Sequence, residues 1–205
     1  IRCTYIKHKY SCRIWIYSII LSRSDKTVAG TLKLKETGRI LPGAIILYSP
    51  WTDMTMSGKS YISKQKLDPV LTREYISTCR ARYIIGQDTI PEKSESLPAE
   101  DENIANIIEN QEKNSAEYNE KPALDNPLIS PLFGDFENFP PVYIEVGTNE
   151  ILYSDSEALY KKLLSQNVRV QFSPFKGMWH VFQMTPLKTA TEAIERIAEF
   201  IYKNI

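Results

Sequence analysis

Hydrophobic and polar positions change period twice between Pro141 and Phe182, and the rest of the chain is arranged around that stretch. Val142 to Val146 is a short apolar run closed by Gly147, which predicts a strand. Ser154 and Glu157 have the spacing of a capping box, and Leu159, Leu163 and Leu164 then fall on one side of a predicted helix. Val168, Val170 and Phe172 alternate with polar residues, the period of a second strand. A strand–helix–strand unit of this length fits a right-handed parallel crossover.

Elsewhere the pattern is simpler. Gly43 to Tyr48 is almost wholly apolar, as expected of a strand covered on both faces. Before it, Thr31 to Glu36 are good helix formers and Gly38 is placed to stop the helix. Residues 51–71 show no strong period and read as loop. Thr72 opens a helix in which Tyr75, Ile76, Cys79 and Tyr83 recur at helical spacing. Near the C-terminus Ala190, Ala193, Ile194, Ile197 and Ile201 repeat at three and four, with Thr189 and Glu192 as a second capping box. The alternation of strands and helices predicts an α/β domain with a mostly parallel sheet over residues 28–205.

Composition alters this picture in two places. Over 205 residues the net charge is zero, with 42% hydrophobic and 24% charged residues, so no global field points to a nucleic-acid partner. Residues 1–27 are an atypical start, basic and aromatic, with one strand-like run at Ile14 to Ile20 and no nucleic-acid-binding module. Residues 87–125 are acidic and nearly free of large apolar groups, and read as a solvated insertion with room for a short helix around Glu102 to Gln111. Cys3, Cys12 and Cys79 have no metal-type spacing and are expected as reduced thiols, which suggests a cytoplasmic chain. Ile14 to Leu21 is too short to span a bilayer and no signal peptide is evident, so no stable membrane insertion is expected.

Catalytic groups in open parallel sheets gather at the carboxyl ends of strands, where Glu150 and His180 would both lie. A carboxylate behind a histidine is two thirds of a nucleophilic relay. Around these residues SPWTD (Ser49 to Asp53), DPVLT (Asp68 to Thr72), NPLISPL (Asn126 to Leu132), PPVYIEVGTNEILYSDS and GMWHVFQ resemble the hormone-sensitive-lipase-like branch of the α/β-hydrolase fold, over about Thr31 to Ile205. Its members are carboxylesterases and lipases. The resemblance implies hydrolysis of a small-molecule carboxylic ester through an acyl-enzyme, with His180 as general base and no metal or organic cofactor. The branch usually carries Asp near position 149, where this chain has Asn149 followed by Glu150. Glu150 is therefore the expected acid, with Asp155 as the alternative. Trp51, Trp179 and Phe182 would help to wall the substrate pocket, although an aromatic at a strand end also suits core packing.

The nucleophile is missing from the pattern. The fold needs a G-x-S-x-G elbow, in which small neighbours permit a strained strand-to-helix turn. No such pentapeptide occurs; Ser22 and Ser24 lie near the expected place without flanking glycines and read as surface serines. The H-G-G-G element that supplies oxyanion donors is also absent, His8 having no glycine after it. Two readings of this absence stand at the level of sequence. The chain is a truncated, inactive hydrolase, or it is a degenerate one kept for ligand binding or interaction.

Overall fold

The computed structural model describes residues 24–85 and 123–204. Three strands, β1 (Ile45–Tyr48), β2 (Val142–Gly147) and β3 (Val170–Phe175), form a wholly parallel sheet in the order β1-β2-β3. β2 lies in the middle, with Ile45 beside Val142 on one flank and Val142 beside Val170 on the other. All six β2 residues are buried, as a strand covered on both faces should be. Between β2 and β3 runs α4 (Tyr153–Ser165), so the strand–helix–strand unit read from the sequence is present.

Alternation within the strands divides the core into two layers. Ile45, Leu47, Val142 and Ile144 face α1 (Ser24–Glu36) and α4, meeting Val28, Leu32, Leu159 and Leu163. Ile46 and Tyr143 face the other way onto Ile197 and Phe200 of α5 (Lys188–Asn204). Helices on both faces of a parallel sheet give a three-layer α/β architecture. A further apolar cluster lies beyond the carboxyl ends of the strands. There Trp51, Met54 and Tyr61 pack with Leu71, Ile76, Ile151 and Leu152, drawing on the loop after β1, α2 (Ser60–Ser63) and α3 (Arg73–Ile85).

Several local expectations need correction. α1 already includes Ser24, well before Thr31: Val28 and Leu32 bury against the sheet, and that packing outweighs the poor helix propensity of Thr27, Val28 and Thr31. Gly38 does stop it, at φ +63°, with the Arg39 N–H donating to the Leu34 carbonyl as in a Schellman motif. Neither capping box is the one expected. α4 starts at Tyr153, so Ser154 lies inside the first turn and its hydroxyl accepts the Ser60 N–H at 2.8 Å, while Ser60 Oγ accepts the Ser154 N–H at 2.9 Å. Likewise α5 begins at Lys188, which puts Thr189 inside its first turn. Leu164 and Ile194 are 54% and 53% exposed, each turned about 100° from a buried neighbour, Leu163 and Ala193. By contrast Thr72 opens α3 as read, its Oγ1 accepting the Tyr75 N–H at 3.1 Å. His8, Ser22, Cys3, Cys12, the run Ile14 to Ile20 and the segment Glu102 to Gln111 lie outside the described residues.

Candidate functional site

At its carboxyl end β2 turns sharply, the Glu150 N–H donating to the Gly147 carbonyl at 3.2 Å. This turn aims the Glu150 side chain back across the strand ends, fully buried. Oε1 accepts the Ser49 hydroxyl at 2.7 Å and the Gly147 N–H at 2.5 Å. Oε2 meets His180 Nδ1 at 3.2 Å. An ionised carboxylate can only accept, so this contact assigns the proton to Nδ1 and leaves a lone pair on Nε2. Among the described residues nothing hydrogen-bonds Nε2. An imidazole so oriented can take a proton at Nε2 while the carboxylate behind it stabilises the resulting cation.

The turn and the histidine loop are sewn together by backbone. Thr148 N–H donates to the Phe175 carbonyl and Asn149 N–H to the Met178 carbonyl, both at 2.9 Å. Gly177, at φ +75°, donates its N–H to Thr148 Oγ1 at 2.8 Å. The loop crosses directly over Gly147: a Cβ there would stand 2.2 Å from the Met178 carbonyl oxygen. Only glycine fits so close a backbone crossing. Val181, next to the histidine, has φ +49°, which is costly for a β-branched side chain, and Ser49 lies at φ +46° just past β1. Strain of this kind persists where surrounding contacts dictate the conformation.

A second ring of polar contacts supports the turn from the side of the β1 loop. Asp68 Oδ2 accepts the Ile151 N–H at 3.1 Å, while its Oδ1 takes the N–H groups of Val70 and Leu71. Lys64 donates to the Thr148 carbonyl and lies over the Tyr153 ring at 4.8 Å. Asp155, the alternative acid, is occupied elsewhere. Its Oδ2 accepts the N–H groups of Thr52 and Asp53 at 3.0 and 2.9 Å, fastening the SPWTD loop to α4. Burial pushes its carboxyl up to about 7, against those two bonds, which favour the charged form. Tyr61 lies beside it, outside good hydrogen-bonding geometry, and burial first and the Asp155 charge second drive its phenol well above the ordinary range.

The sequence-predicted residues thus separate. Glu150 and His180 are brought together; Asp155 is not part of that contact. Trp51 is 6% exposed within the cluster beyond the strand ends, and Phe182 is fully buried against Phe175 and Ala193, so both are core side chains. Trp179 is half-buried beside the histidine. Ser24 lies in α1. Sequence reasoning missed Ser49 and Asp68 as partners of the acid turn, although both lie in motifs quoted for the resemblance. A polar residue at the end of an all-apolar strand was the available signal for Ser49. Among the described residues no group of three or more His, Cys, Asp or Glu is placed to hold a metal ion.

Parallel strands flanked by helices, with a carboxylate–histidine pair at the strand ends, define a class that comparison with known proteins makes specific. Residues 90–184 match the family model described as "alpha/beta hydrolase fold". The chain is similar to an esterase of Acinetobacter venetianus, with 29% identity over 86% of this chain and 48% of that protein. It is also similar to an acetyl-hydrolase of Streptomyces hygroscopicus, with 26% identity over 76% of this chain and 40% of that one. Among solved structures, an esterase from the bacterial hormone-sensitive lipase family matches with a TM-score of 0.67 and 28% identity, over 89% of this chain and 50% of the other. The chain therefore has the α/β-hydrolase fold and is similar to esterases of the bacterial hormone-sensitive lipase family. It spans about half the length of the curated relatives it matches.

Proposed function

We propose that Glu150 and His180 are the acid and base of a carboxylic ester hydrolase relay that works through an acyl-enzyme. The observation that carries this reading is the 3.2 Å contact of Glu150 Oε2 with His180 Nδ1, behind which two further donors hold the carboxylate. His180 Nε2 would take the proton of an attacking hydroxyl and return it to the leaving alcohol; Glu150 would fix the ring and stabilise the imidazolium. The esterase and acetyl-hydrolase relatives support a small-molecule ester as the substrate class. Trp179, half-buried beside the histidine, would contribute to the wall of the site.

The 205 residues contain neither a G-x-S-x-G nor an H-G-G-G element, so this chain by itself has no elbow serine and no oxyanion donors of the usual type. We infer that it does not turn over esters alone. With a chromogenic short-chain ester the expected rate equals that of a His180→Ala control, and a His180-dependent turnover would refute the inactivity. The relay itself is tested by proton NMR. A downfield Nδ1–H resonance, lost in both His180→Ala and Glu150→Gln, is expected; its absence from the unaltered chain would end the relay reading. Among the described residues no helix is long and apolar enough to cross a membrane.

A further inference from the structure

Five residues before Glu150, β2 carries a second buried glutamate that the relay does not use. Glu145 is fully buried in the middle of a strand covered on both faces. Its side chain points to the α5 face, as Tyr143 does two residues earlier. Oε1 accepts the side-chain N–H of Gln183 at 2.8 Å. Gln183 belongs to the short 3-10 helix Phe182–Met184, three residues beyond His180. That bond leaves Glu145 Oε2 and Gln183 Oε1 both buried and both without a partner. Two orphaned acceptors on a pair of groups already joined by one hydrogen bond share a single remedy. A proton on Oε2 would turn one acceptor into a donor, and an acid and an amide that face each other can then bond twice.

We propose that Glu145 stands here as a neutral carboxylic acid bonded twice to the Gln183 amide, and that this pair latches the loop carrying His180 onto β2. The surroundings agree. From β1, Tyr48 is the direct cross-strand neighbour of Glu145, and burial first and the Glu145 charge second push its phenol up to about 12. Tyr143, on the same strand, shares a hydrogen bond with Ser173 Oγ at 2.9 Å, and its hydroxyl, like the Gln183 amide, favours the ionised form of Glu145. Arg196, on α5, is a cation whose charge favours the ionised form; its guanidinium lies over the Phe175 ring at 4.8 Å. Glu150, in the acid turn, opposes ionisation as a like charge. Burial outweighs the groups that favour the anion, and the Glu145 carboxyl is pushed up to about 7.

The sign of the pH dependence follows. The folded chain keeps a proton that the unfolded chain gives up near the ordinary value of 4.5, so folding takes up a proton between there and about 7. Stability from this group is fully present below the lower value and is lost as pH rises through the upper one. The role assigned to the latch, as a positioning device for the proposed base, rests on the hydrolase reading; the acid–amide pair itself does not.

The test uses the chain as it is, with Glu145→Gln as a neutral variant of the same shape that can still form two bonds. Infrared difference spectra below pH 7 should show one protonated-carboxyl band in the unaltered chain that Glu145→Gln lacks, fading with a midpoint of about 7. Asp155 contributes a band to both proteins, which the difference removes. The melting temperature of the unaltered chain should fall relative to that of Glu145→Gln from about pH 5 to about pH 8. The His180 Nδ1–H resonance should broaden over that range in the unaltered chain and persist in the variant. Identical infrared spectra would overturn the neutral acid, and a band that titrates while the His180 resonance stays unmoved would overturn the latch. Absence of that resonance at every pH would end the hydrolase reading while leaving the infrared test of the pair intact.

Discussion

Glu145 and Glu150 are both fully buried, five residues apart, and they are built as opposites. The carboxylate at the end of β2 collects donors from three elements: the Ser49 hydroxyl after β1, the Gly147 N–H of β2 and His180 Nδ1 of the loop after β3. The carboxyl in the middle of β2 takes the Gln183 amide N–H on one oxygen, and among the described residues its second oxygen has no hydrogen-bond partner. A buried anion is tolerable when hydrogen bonds replace the lost hydration, and a buried acid without them gives up its charge instead. Strand position explains the difference. In mid-strand the neighbouring N–H groups are spent on the ladder, whereas at the carboxyl end the Gly147 N–H can turn to the side chain of its own turn. The end of β2 surrounds its carboxyl with donors; among the described residues its middle offers far fewer, and there burial favours the neutral acid.

The most severe way to break this contrast is Gly147→Ala. The new methyl would meet the Met178 carbonyl oxygen and carbon at 2.2 and 2.4 Å, all backbone, so the histidine loop would have to lift off β2. A destabilisation of about 3 kcal/mol is expected from such overpacking, measured by denaturant unfolding, together with loss of the His180 Nδ1–H resonance. Unchanged stability would mean that the crossing is looser than the geometry implies. Next in size is Glu150→Gln, which keeps the shape but replaces an oxygen serving buried donors with an NH2 group. A loss of about 2 kcal/mol is expected, because one of Ser49, Gly147 or His180 must then face another donor. The matching change Glu145→Gln should cost far less below pH 7, since a neutral group already stands there. Equal costs for the two would erase the distinction drawn above.

Much of this was legible in the sequence, for physical reasons that differ by element. The period change from Val142 to Phe172 announced β2, α4 and β3, because a doubly covered strand and an amphipathic helix have unlike patterns. The spacing of Glu150 and His180 follows from that unit, and they meet as the strand ends require. The part of α1 before Thr31 was not legible, since packing of Val28 and Leu32 favours it there rather than local propensity. The cap of α4 was misread for a related reason. Ser154 has the right residue type and spacing, yet its hydroxyl is claimed by Ser60, 94 residues away in sequence. Glu145 was hidden in plain view, an acid inside a run that reads as apolar; such an exception in a buried strand needs a partner, and Gln183 supplies it.

Asn149 sharpens the contrast from its weak end. It stands where the resembled branch usually carries its acid, one residue from Glu150, yet its Nδ2 reaches only the Gly177 carbonyl, at 3.3 Å in a solvent-accessible position. Its backbone does more, donating its N–H to the Met178 carbonyl at 2.9 Å, and any residue but proline can do the same. Asn149→Ala should therefore lower stability by no more than about 0.5 kcal/mol, the usual cost of an exposed substitution, and leave the His180 Nδ1–H resonance in place. A loss of that resonance in Asn149→Ala would mean that the orienting group has been assigned one residue too late. The same variant beside Glu150→Gln thus tests whether the relay follows the position the family favours or the side chain that touches the ring.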